Sequence, residues 1–77
     1  MPSQDLANHV EVTSAEREVL WLIKDGQSDA DIAASLDLSV RAVESRLRRF
    51  AVRSGLSGRP LVAWTVRHEA CCLARFL

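Results

Sequence analysis

Glycine, cysteine and long apolar runs are scarce in this chain of 77 residues, and each scarcity removes a class of function. Three glycines make no phosphate-cradling loop, and no nucleophile stands in a strand–turn–helix setting, so no enzyme is expected. No stretch approaches the ~18 consecutive apolar residues of a membrane span. The opening MPSQDLANHVEV has neither the positive start nor the apolar core of a signal peptide, so the expected location is the cytoplasm. The two cysteines, Cys71 and Cys72, are adjacent, and neighbouring residues rarely bridge. His9 and His68 add no recognisable ligand spacing, so the thiols read as packing residues, with no metal and no cofactor expected.

What is present is a folded composition with a lopsided charge. Apolar residues make up 48% of the chain, too many for a disordered tail, and the length allows one domain. The net charge is zero, but residues 1–38 hold eight acidic and two basic side chains, and residues 39–77 hold the reverse. All the basic residues of the second half are arginines, five of them between Arg41 and Arg53. A chain polarised in this way can show a positive face to an anionic partner while remaining neutral as a whole.

The chain is organised around Ser28 to Ser54. Ile32, Ala33 and Leu36 give a short helix an apolar face, and Val40, Val43, Leu47 and Phe50 give a longer one a narrow stripe. Asp37-Leu38-Ser39 lies between them, with Ser39 suited to cap the second helix. A short helix propping a longer, arginine-bearing one is a helix-turn-helix. On the wheel of the longer helix, Arg41, Ser45, Arg48, Arg49 and Val52 oppose the apolar stripe.

The flanks read as support. Residues 1–12 are expected to form a flexible arm, disordered or ordered on contact. Helix one covers 13–25, opened by the Thr13/Glu16 capping box and closed at Gly26. The second and third helices cover 29–36 and 40–54. A fourth is expected over 59–75, with Ser57 as its cap and Pro60 in its first turn. This last helix is apolar on two sides: Val62, Val66, Ala70, Leu73 and Leu77 on one, Leu61, Trp64, Thr65, His68 and Cys72 on the other. One side must meet the core. The second, read here as Leu61, Trp64, Thr65, His68 and Cys72, is expected to form a dimer seam with another copy.

Thr13 with Glu16-Arg17-Glu18-Val19-Leu20, then Leu22-Ile23, Gly26, Ser28, Ile32-Ala33, Leu36, Ser39, Val43, Leu47, Gly55 and Arg59 resemble the LuxR/NarL-type (GerE-like) DNA-binding domain of bacterial transcription regulators. The resemblance spans residues 12 to about 70. It implies an all-α, tetrahelical helix-turn-helix domain that binds double-stranded DNA as a homodimer in the bacterial nucleoid. The third helix would lie in the major groove and the fourth would form the dimer contact. The groove-facing positions carried over are Glu44, Ser45 and Arg48; Arg41 lies on the DNA-binding face that opposes the apolar stripe, and Arg49 and Arg53 flank the groove face and suit phosphates. Arginine's planar fork suits both guanine's O6/N7 edge and phosphate.

The chain departs from the family pattern at Ala30, Ala42 and Glu44, where basic or polar residues are usual, and at Arg46, where His is common. Those departures keep open an interaction protein that lacks DNA binding and heterodimerises with a related regulator. The string SVRAVESRLRR also looks like region four of sigma factors, but a fourth apolar helix follows it.

Overall fold

The computed structural model describes residues 10–74, and among these there are four helices and no strand. They are α1 (Ser14–Lys24), α2 (Asp29–Leu36), α3 (Val40–Ser54) and α4 (Gly58–Arg67). The fold is an all-α, four-helix domain, as expected. Residues 1–9 of the expected arm, and Arg75 and Leu77 of the expected fourth helix, lie outside the described residues.

Local chemistry sets most of the boundaries. Thr13 caps α1 in the expected box: its Oγ1 accepts from the Glu16 amide at 3.1 Å, and Glu16 Oε1 accepts from the Thr13 amide at 3.2 Å. At the other end Gly26, at φ 85°, lets its own amide reach Ile23 O and the Gln27 amide reach Leu22 O, a Schellman closure. Ser28 and Ser39 cap α2 and α3 through the Asp31 and Ala42 amides. The turn between α2 and α3 repeats the Schellman pattern with Asp37 in the left-handed region at φ 58°, where glycine is the usual occupant. There the Leu38 amide bonds Ala33 O at 2.8 Å, which points Leu38 inward.

The core has two parts on either side of the α1–α3 pair. Val19 faces Ile32, Ala33 and Val43, and this cluster seats the helix-turn-helix. Leu20, the next residue, faces the other way, into Val12, Phe50, Leu61, Trp64 and Leu73. Leu47 of α3 packs against both clusters. The Phe50 and Trp64 rings meet at 5.3 Å and 54°, a tilted aromatic pair. Val40, placed by periodicity on the buried stripe, is 41% exposed at the first position of α3.

The fourth helix is shorter than its periodicity suggests. It ends at Arg67, and a turn over 68–72 follows, in which the Cys72 and Leu73 amides both bond His68 O, at 3.0 and 3.2 Å. The turn folds Leu73 back into the cluster with Val12 and Trp64, where it is fully buried. Burying that leucine outweighs further helical propagation. Ser57 occupies the N-cap position of α4, but its hydroxyl makes no cap bond.

Candidate nucleic-acid interface

The exposed side of α3 divides its arginines into two kinds. Arg41, Arg48 and Arg49 are exposed and make no hydrogen bond or ion pair among the described residues. Arg46 and Arg53 are tied to the start of α1. Arg46 donates to Ala15 O at 3.2 Å and to Glu18 Oε1 at 3.3 Å. Arg53 clamps Glu16 with both terminal nitrogens, Nη1 donating to Oε2 at 2.8 Å and Nη2 to Oε1. The same Nη2 donates to Glu11 O at 2.9 Å.

Arg53, expected to be a phosphate contact, is engaged by Glu16 among the described residues. Its guanidinium is the partner of a buried carboxylate and lies 5.6 Å from the Phe50 ring. Turning it toward a phosphate would leave the Glu16 carboxylate without its charge partner. The Arg53 hydrogen bonds, more than any other cause, hold the Glu16 carboxyl below its ordinary value, and Glu16 in turn raises Arg53. Arg17 points inward too, donating from Nη2 to Val12 O at 3.3 Å.

The remaining expected contact residues lie on or beside the free face. Glu44 is exposed and Ser45 half-buried, both in the middle of α3. Beside them runs a shallow groove of about 260 Å³ whose lining includes Asp29, Glu44, Arg48, Ala51 and Ser57. It joins the start of α2, the middle of α3 and the start of α4. Neither Asp29 nor Glu44 forms an ion pair with Arg48. The helix therefore presents three uncommitted guanidinium forks, with one carboxylate between Arg41 and Arg48.

On α4 the two apolar sides are the reverse of the expected ones. Leu61, Trp64, Thr65 and His68, expected at a dimer seam, are the side that meets the core, with Thr65 at 0% and His68 at 2% exposure. Thr65 donates to Val62 O at 2.6 Å, which lets its hydroxyl be buried. Cys72 is half-buried against the same cluster. The side left open carries Val62 and Val66, at 42% and 56% exposure. The cause is Trp64: the largest side chain of the helix buries the most apolar area by turning toward Phe50. Any seam on α4 would therefore use Val62 and Val66.

The turn after α4 gathers residues that the sequence reading had set apart. His68 Nδ1 lies 3.2 Å from Cys71 Sγ and 3.8 Å from Cys72 Sγ, and the two sulfurs are 3.2 Å apart. The signal was present as His-x-x-Cys-Cys: positions i, i+3 and i+4 share one face of a helical turn. Adjacent cysteines mask it in sequence, since zinc motifs usually show their ligands as separated pairs. Desolvation, and then the neighbouring Cys72 thiol, push the Cys71 thiol above its ordinary value.

No known protein-family pattern matches this chain, and no curated protein or solved structure does either. Among the described residues no helix is long and apolar enough to cross a membrane.

Proposed function

We propose that this chain is a DNA-binding transcription regulator of the LuxR/NarL (GerE-like) type, with α3 as the helix that enters the major groove. The observation that carries the reading is the division of the arginines. Arg46 and Arg53 tie α3 to α1, while Arg41, Arg48 and Arg49 stay exposed and uncommitted. Holding three desolvatable forks free on a braced helix suits a polyanion, whose phosphates release counterions as arginines replace them. In this reading Arg48 contacts a base or phosphate and Arg41 and Arg49 contact phosphates. Glu44 favours cytosine N4 at its position. A second copy would pair through Val62 and Val66, and the protein would work in the cytoplasm, on the nucleoid.

The test is binding of duplex DNA across a range of salt concentrations. Each lost phosphate contact flattens the slope of log affinity against log salt by about 0.9 per protomer. Arg48→Ala is expected to weaken binding and flatten that slope, whereas absence of binding by the wild type at low salt overturns the reading.

Glu44, exposed between Arg41 and Arg48, favours a second reading: a partner that keeps the fold, pairs with a related regulator and does not itself bind DNA. Glu44→Lys separates the two. A non-binder should gain DNA affinity, and a cytosine reader should lose its preferred site.

A further inference from the structure

We propose that His68, Cys71 and Cys72 form a binding site for one zinc-type, thiophilic metal ion per chain. The three ligand atoms all lie within 4.8 Å of one another. A tetrahedral ion with Zn–S near 2.3 Å and Zn–N near 2.05 Å sets ligand separations of roughly 3.5–3.8 Å. The Nδ1–Sγ distances of 3.2 and 3.8 Å bracket that range, and the 3.2 Å between the sulfurs opens to it by about half an ångström.

The surroundings suit the ion. His68 is held in place: its ring stacks on Trp64 at 4.8 Å and 20°, and it is 2% exposed, so its Nδ1 edge is presented in a fixed direction. Cys71 is exposed and Cys72 half-buried, which leaves an entry path from solvent. The thiols border a groove shared with Val10, Glu11, Val12 and Arg17, open enough for water to take a fourth position. On binding, the ion displaces one proton from each thiol into solvent and takes the lone pair of the neutral imidazole. A divalent ion with two thiolates and one imidazole is neutral, so it can sit beside the apolar Val12–Trp64 cluster without an unbalanced charge. The dithiol and imidazole set favours zinc over hard cations such as magnesium or calcium, which take oxygen ligands.

The site is independent of the proposed DNA face and would pin the turn after α4. The experiment uses the full chain, reduced with a phosphine and stripped of metal, titrated with Co²⁺ and then Zn²⁺. The expected result is a near-ultraviolet thiolate-to-cobalt band that saturates at one ion per chain and is bleached by Zn²⁺. Cys71→Ser and Cys72→Ser should each remove the band. Outer-shell changes alone cost metal sites 10–100-fold, so His68→Gln should weaken Zn²⁺ at least tenfold. Because His68 is buried, a second measurement guards against misfolding: in the wild type, Zn²⁺ should shift the His68 Nδ1 resonance and spare that of Nε2. No band in the wild type overturns the site, as does a band that survives both serine variants. One metal per two chains, or an unmoved Nδ1 resonance, also overturns it.

Discussion

Replacing Glu16 with Gln tests the tie that holds α3 against α1. Gln serves a capping box as well as Glu does, so the Thr13 amide keeps its acceptor and the shape of the site is preserved. What is lost is the charge facing Arg53, whose two terminal nitrogens both donate to that carboxylate. A hydrogen bond to an ionised group contributes about 1.5–3 kcal/mol and a neutral one about 1. Solvent reaches this pair from the arginine side, and screening brings the loss at Glu16 to about 1 kcal/mol near neutral pH. In a domain of this size that is a fall in Tm of about 4–8 °C.

The pH dependence gives the prediction its sign. The folded carboxyl titrates below its ordinary value, chiefly because of Arg53. Its contribution is therefore complete above the unfolded value, about 4.3, and is lost as pH falls through the folded one. Circular dichroism melts from neutral pH down to about pH 2 should show a full gap between wild type and Glu16→Gln at the top of the series. The gap should close below the unfolded value and vanish in strong acid. No gap at neutral pH, or an undiminished one in strong acid, would refute the assignment of Glu16 and Arg53 as a charge-dependent brace.

Other perturbations probe other parts of the molecule. Asp37→Gly relieves a left-handed non-glycine residue and should raise stability by about 0.5 kcal/mol in urea unfolding, whereas the β-branched Asp37→Val should lower it. Phe50→Ala removes the ring shared by Trp64 and Leu20, at about 3–5 kcal/mol. That rivals the whole stability of so small a domain, so a cooperative melt near the wild-type temperature would contradict the core described here. Thr65→Asp buries a carboxylate and should unfold the chain, while Val66→Asp, on the open side of α4, should leave the melt nearly unchanged. Sedimentation of Val66→Asp against wild type then reads whether that side joins two copies.

Much of this fold was legible because its boundaries are written in local chemistry. Thr13 with Glu16, Gly26, Ser28 and Ser39 act within a few residues of themselves, and α2 and α3 occupy the residues expected of them. What was not legible depends on contacts between distant residues. The apolar spacing after Arg67 continues without a glycine or proline, and only Leu73 returning to Val12 shows that the helix stops. The two sides of α4 are similarly apolar in sequence, and the aromatic pair with Phe50 decides between them. Arg53 looks like Arg48 or Arg49 until Glu16 is placed beside it. The cysteines looked inert until the turn set them against the His68 ring.

The two-part core also orders how the molecule comes apart. The cluster of Val19, Ile32, Ala33 and Val43 is drawn from one short stretch of chain, so it closes small loops and can re-form quickly. The cluster holding Val12 and Leu73 must bring together opposite ends of the described chain, and it includes the turn beyond α4. Amide hydrogens of α4 and of residues 68–73 should therefore exchange through partial openings, while those of α1 and α3 wait for global unfolding. The helix-turn-helix would then persist as a cooperative unit after the fourth helix has loosened, with Leu47, packed against both clusters, feeling both events.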